Sequence, residues 1–207
     1  SVSNVFYDES LNSSASDTVF VIENDQTRVS ATSVSRTVIL NNFDMNSVSV
    51  TGTAHDDNYR FVDVGISLRV DTRGGEDSVY VDDMTSNKTI TVYTGSQSGD
   101  QLRINEDDVG SAEVIVDQND AVGVLSLGSG ARLKLKQGAN IAFAIGLSDR
   151  WDGRIDITDN TLLQLDTNAV GGPEYLIGQL TNGYNGGAWN SSANAIVSST
   201  AASASVA

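Results

Sequence analysis

Cysteine is absent from this 207-residue chain, and its absence excludes a disulfide framework, a thiolate metal site and a catalytic thiol. There is one histidine, His55, so a nucleophilic triad has a single candidate base, and that base lies in an expected turn beside Asp56 and Asp57. One proline excludes a proline-rich linker or ligand segment. Cations are few: 12 Lys and Arg stand against 27 Asp and Glu, a formal charge of −15 that disfavours nucleic acid or an anionic membrane as partner. Aromatic residues make up only 6%, and the two tryptophans, Trp151 and Trp189, both fall toward the C-terminal end, away from any sugar-binding platform. No apolar run reaches membrane-spanning length, so the sequence predicts no membrane insertion. The first residues, Ser1-Val2-Ser3, carry neither Met nor a charged leader, which reads as a processed, secreted chain.

What the sequence has in quantity is Ser, Thr, Asn, Asp, Val and Gly, a composition suited to many short strands joined by turns. A strand-like motif returns about every 20 residues. Its inward apolar anchors are Val19, Val38, Tyr59, Val79, Leu102, Val122, Ile141 and Leu162, spaced 19, 21, 20, 23, 20, 19 and 21 residues apart. Such a period with strand units predicts a solenoid. A second ladder falls between the anchors at Val48 and Val50, Leu68 and Val70, Ile90 and Val92, Val114 and Val116, Leu133 and Leu135, and Ile155 and Ile157. Alternation then directs Arg69, Thr91, Glu113, Lys134 and Asp156 to solvent. Stacking at about 4.8 Å per coil makes eight coils a rod of roughly 38 Å.

Turn residues precede the anchor strands, as in Asp71-Thr72-Arg73-Gly74-Gly75-Glu76-Asp77 and Asp117-Gln118-Asn119-Asp120. Three adjacent acid pairs, Asp56/Asp57, Asp82/Asp83 and Asp107/Asp108, sit in or beside turns, where solvated carboxylates are the ordinary expectation. As general acid and base they would serve a polysaccharide-cleaving enzyme. Hard oxygen donors on stacked turns also suit calcium, with Asp71, Asp77 and Asp100 the candidate ligands; no other cofactor is expected. Arg132, Lys134 and Lys136 form one outward basic stripe, expected to pair across coils with Glu113, Asp117 and Asp156. Tyr80 and Tyr93 are the only hints of an aromatic ladder for an extracellular polysaccharide.

The repeat stops near Asp166. Gly171-Gly172-Pro173 then opens a short helix through residues 174–180 that Gly183 is placed to end, with Tyr175, Leu176 and Leu180 on one face as a solenoid cap. The Ser- and Ala-rich tail after Trp189 reads as a flexible linker, or as a strand to be added to the edge of a neighbouring copy.

Two stretches carry a family resemblance. Within residues 71–104 the Asp71-Thr72-x-Gly74-Gly75-Glu76-Asp77-Ser78-Val79-x-Val81 cadence is similar to the Thr-Gly-x-Gly-Asp-Asp-Thr-Val-x-Val coils of secreted bacterial repeat proteins of the Planctomycetes type, which resemble autotransporter passenger regions. Within residues 130–190, Gly130-Ala131-Arg132-Leu133-Lys134-Leu135, Ile155-Asp156-Ile157-Thr158-Asp159-Asn160 and Gly183-Tyr184-Asn185-Gly186-Gly187-Ala188-Trp189-Asn190 resemble their terminal coils and cap. The resemblance implies a right-handed parallel β-helix on an extracellular protein and no catalytic residue.

The sequence thus predicts an all-β, right-handed parallel β-helix (β-solenoid) of about eight coils over residues 1–168, with a cap and tail over 169–207. The expected function is that of a non-enzymatic structural protein of the bacterial cell surface, secreted and self-assembling as a homopolymer into a filament, sheath or coat. The alternatives are a calcium-dependent adhesin or polysaccharide-binding module, and a polysaccharide-cleaving β-helix enzyme.

Overall fold

The computed structural model describes residues 4–8, 18–23, 26–31, 36–41, 47–52, 54, 56–84, 88–95, 99–165, 172–191 and 194–204. The chain enters through β1 (Asn4–Asp8) and β2 (Thr18–Glu23), then makes two reversals, β3 (Gln26–Ala31) and β4 (Arg36–Asn41). From there it winds through strand pairs: β5 (Ser47–Thr51) and β6 (Asn58–Val64), β7 (Ser67–Asp71) and β8 (Ser78–Met84), β9 (Ile90–Tyr93) and β10 (Gln101–Ile104). The pairs continue with β11 (Ala112–Val116) and β12 (Asp120–Leu127), β13 (Ala131–Leu135) and β14 (Ala142–Trp151), and a shorter pair, β15 (Arg154–Asp156) and β16 (Thr161–Gln164). Helix α1 (Gly172–Tyr184), strand β17 (Ala195–Val197) and helix α2 (Ser199–Ala204) close the described chain.

Odd-numbered strands build one sheet in the order β1-β5-β7-β9-β11-β13-β15-β17, and the other sheet runs β16-β14-β12-β10-β8-β6-β2-β3-β4. Every pairing is parallel except β2 with β3 and β3 with β4. This is the expected parallel β-solenoid, but with fewer coils than the eight expected. About five regular two-strand coils run from β5 to β14, a stack of about 24 Å. The difference begins at Val38, which lies in antiparallel β4 rather than in a coil, because β2 pairs directly with β6.

Register shows which residues share a column. In the odd-numbered sheet Val48, Leu68, Ile90, Val114, Leu133, Ile155 and Ile196 align, as the alternation predicts. In the other sheet the column is Phe20, Tyr59, Val79, Leu102 and Leu125. Val19 is in register with Asn58 instead, and Val122 with Ile145, so two of the expected anchors stand beside the column rather than in it. Tyr59, Phe61, Val81, Ile104, Leu127 and Phe143 are fully enclosed between the sheets. Each such side chain contributes about 1.5–3 kcal/mol of transfer free energy, which accounts for a stack held without a disulfide.

The C-terminal end is capped. Tyr175, Leu176 and Leu180 of α1 pack on the core, the Tyr175 ring meets Trp151 edge-on at 6.3 Å, and its hydroxyl donates to the Trp151 carbonyl at 3.1 Å. Gly183 does not end the helix but lies within it. A Cβ there would overlap the carbonyl of Ile196, so glycine lets α1 approach β17 backbone to backbone. The tail is neither a linker nor a strand lent to a neighbour, because β17 adds in cis to β15, buried along its length. It also covers Asp156, expected in solvent, whose Oδ1 accepts the amides of Thr158 at 3.0 Å and Ser199 at 2.9 Å.

Candidate functional site: the acidic corner of the coils

Each passage from the odd-numbered sheet to the other turns a corner, and an aspartate stands at or just before the start of the strand that follows: Asp57, Asp77, Asp100 and Asp120. Their sequence setting predicts solvated turn carboxylates, yet all four are buried. The physical reason is the turn itself, which brings main-chain amides inside the winding, where they need an acceptor. The Asp57 amide donates to Asp77 Oδ1 at 2.8 Å, and the Asp77 amide donates to Asp100 Oδ1 at 3.0 Å. One coil on, the Thr94 amide donates to Asp120 Oδ2 at 3.1 Å and the Thr94 hydroxyl to Asp120 Oδ1 at 3.0 Å. The buried Tyr59 hydroxyl donates to Asp57 Oδ2 at 3.1 Å. Gly52 leaves the room for this, since a Cβ there would overlap the Tyr59 hydroxyl and crowd the Thr72 carbonyl.

Enclosure sets the electrostatics. Burial, first of all, pushes the Asp77 carboxyl up to about 7; the Thr72 hydroxyl and the Asp57 amide pull it down, and the Asp57 and Asp100 carboxylates push it up again. The Thr72 hydroxyl lies close enough to act on Asp77, but Thr72 Oγ1 and Asp77 Oδ2 are both buried without a hydrogen bond of ordinary geometry. Asp120 is likewise raised to about 6 by burial, against the pull of the Thr94 donors. The Tyr59 phenol is held above its ordinary value by burial and by the neighbouring Asp57, Asp77 and Asp71 carboxylates.

A second acidic corner lies where β8, β10 and β14 end, and here arginines face the acids. Arg150 Nη2 grips both oxygens of Asp108, at 2.8 and 2.7 Å, and its Nε holds Asp152 at 2.7 Å. That guanidinium keeps the Asp108 carboxyl below the usual carboxylate range. Arg103 pairs with Glu106 at 2.8 Å and Arg60 with Asp82 at 3.6 Å. Burial, and then the Asp107 carboxylate, push Asp82 up. Asn105, buried and at φ 54°, accepts the Asp83 amide through Oδ1 at 3.3 Å and donates through Nδ2 to the Ser129 carbonyl.

The residues expected from sequence to carry chemistry are spread over both corners. Asp56 is exposed and caps the Glu76 amide while its neighbour Asp57 is buried, so that pair is split between solvent and core. Asp82 and Asp83 are tied to the amides of Glu106 and Met84, and Asp107 and Asp108 to those of Val109 and Ser129. Of the expected calcium ligands, Asp77 and Asp100 accept buried main-chain amides, and Asp71 is engaged with Arg73. Among the described residues no group of three or more His, Asp or Glu side chains is placed to hold a metal ion. His55 lies outside the described residues.

The basic stripe has the expected neighbours in register, Arg132 beside Glu113 and Lys134 beside Asp156. The pairing expected there is not closed: among the described residues no ion pair involves Arg132, Lys134 or Lys136. Asp117 pairs instead with Arg69, at 2.6 Å, and Asp156 is taken by the tail. Tyr80 belongs to β8 and Tyr93 to β9, so the two aromatic hints lie in different sheets, and Tyr80 sits beneath the Arg103 guanidinium at 5.9 Å. Trp151 is buried against α1. No family model, curated protein or solved structure matches the chain.

The corner missed from sequence is the set Gly52, Asp57, Tyr59, Thr72 and Asp77. The available signal was the recurrence of an Asp at the same offset before consecutive strands, together with a Tyr whose hydroxyl has to find a partner when it lies inside.

Proposed function

We propose that the chain is a non-enzymatic structural protein of the cell exterior, secreted and assembling end to end into a filament, sheath or coat. The observation that carries this reading is the direction of the strands that terminate the second sheet. Two antiparallel reversals, β2 to β3 and β3 to β4, leave β4 running the same way as β2 and therefore as β16 at the opposite end. A second copy related by translation along the axis would bring its β4 to β16 in the parallel sense that the whole sheet already uses. Contacts of this head-to-tail kind do not close on themselves and generate filaments. Exposed Leu163 and Leu165 on and just after β16 favour a partner there, since an apolar strand at a sheet edge is a template for further pairing. The burial of Asp57, Asp77 and Trp151, groups a sugar-cleaving cleft would present, supports a structural over an enzymatic role.

Electron microscopy and sedimentation velocity of the purified protein test the reading. Fibres that lengthen with concentration are expected, and L163K/L165K, at two exposed positions, is expected to abolish them while leaving the circular dichroism spectrum unchanged. A protein that stays monomeric at millimolar concentration refutes it.

A further inference from the structure

Three inward carboxyl-bearing residues occupy equivalent positions in three successive coils, Asp57, Asp77 and Asp100, joined amide to carboxylate through the ladder. Equivalent positions on adjacent parallel strands lie about 4.8 Å apart. Like charges at that spacing, out of water, cannot all be carried. The middle one, Asp77, faces a carboxyl on either side, is fully buried, and keeps one oxygen, Oδ2, without a hydrogen bond, beside a Thr72 hydroxyl that is equally orphaned. The charged and titratable groups around it are Asp57 and Tyr59 on the β6 side, Asp71 at the end of β7, and Asp100 before β10. The one cation of this corner among the described residues, Arg73, is exposed and pairs with Asp71; Asp56 and Glu76 lie on the solvent side. Nothing in the structural role proposed above uses this arrangement.

We propose that Asp77 is a proton-binding latch of the solenoid: protonated, its Oδ2 hydroxyl turns onto Thr72 Oγ1 and ties neighbouring coils together, and ionised, it stands as a third negative charge inside the corner and loosens it. Protonation adds one proton from solvent to Oδ2 and breaks no covalent bond. The raised affinity of Asp77 for its proton, with half-titration at about 7, agrees with that geometry, and Asp120, raised to about 6, adds to the effect in the same direction. The sign follows from linkage. A folded-state value above that of the unfolded chain means that the folded protein binds more protons between about pH 4 and pH 7, so stability falls as pH rises through that window and levels off above it. The molecule is thereby tightened by mild acid.

Two measurements on the full chain test this. Carbon-13 NMR of the aspartate carboxyls is expected to show one residue, absent from the spectrum of Asp77→Asn, titrating near neutrality; an Asp77 that titrates near pH 4 overturns the proposal. Urea unfolding at pH 5 and pH 8 is expected to show the folding constant of the wild type falling by on the order of a hundredfold, beyond a smaller fall shared with D77N. Asn keeps the Oδ1 acceptor and offers Thr72 a donor at either pH. Equal falls in the two proteins overturn the latch even if the carboxyl titrates as expected.

Discussion

Helix α1 contains two glycines whose replacement by alanine has opposite predicted signs. At Gly178 a Cβ meets nothing within 4 Å, so G178A gains the intrinsic helix preference of alanine, about 1 kcal/mol, and disturbs no neighbour. At Gly183 the same preference is offered, but the new methyl overlaps the carbonyl carbon and oxygen of Ile196 in β17. Both are main-chain atoms of a strand hydrogen-bonded to β15, so they cannot swing aside as the end of a side chain could. The overlap is relieved only by parting α1 from β17. Overpacking of this kind costs about 1–3 kcal/mol, and because the clash is with backbone the upper part of that range applies, outweighing the propensity gain. For a chain of this size each kcal/mol moves the melting temperature by about 2–4 °C. G178A should therefore melt about 2–4 °C above the wild type and G183A several degrees below it. Hydrogen exchange adds a local readout, because the Ile157 amide, bonded to the Val197 carbonyl at 3.0 Å, should exchange faster in G183A alone. If G183A proves as stable as G178A, α1 does not meet β17 backbone to backbone, and the solenoid end is sealed in some other way.

Tyr59→Phe removes the donor to Asp57 Oδ2 inside the closed corner and should lower stability at neutral pH by about 1–3 kcal/mol, read as a shift in the urea midpoint. Asn105→Ala places a Cβ residue without a polar side chain at φ 54° and strips partners from the Asp83 amide and the Ser129 carbonyl; a loss of about 2–4 kcal/mol is expected by the same assay. A loss below about 1 kcal/mol in either variant would show that the corner bonds are replaced by solvent.

Much of the winding was legible because strand alternation and a constant period are both carried by apolar residues. Leu68 and Val70, Ile90 and Val92, and Leu133 and Leu135 alternate with polar neighbours, so their columns follow from sequence alone. Val38 misled because an antiparallel strand has the same two-residue period as a parallel one, and its spacing of 19 from Val19 fits the repeat by coincidence. Val19-Phe20-Val21-Ile22 is apolar without alternation, so nothing local says which face is inward; only the pairing with Asn58-Tyr59 decides that Phe20 belongs with the column. The corner was the least legible part, since an aspartate ahead of a strand reads the same whether its carboxylate faces water or the inside of the turn. Gly183 failed for a related reason: near a helix end glycine signals termination, and the approach of β17 from 13 residues downstream leaves no mark in the local sequence.

The three buried amide-to-carboxylate bonds of the corner, Asp57 to Asp77, Asp77 to Asp100 and Thr94 to Asp120, all point the same way along the chain, from an earlier coil to a later one. A nascent chain leaves the ribosome N-terminus first, so every newly wound layer waits for some 20 further residues before its enclosed donor is answered. Growth of the stack is therefore ratcheted from behind: each layer is provisional until its successor is made. A chain cut short between layers would carry one unanswered donor at its broken end wherever the break fell, whereas excision of one whole layer would leave none.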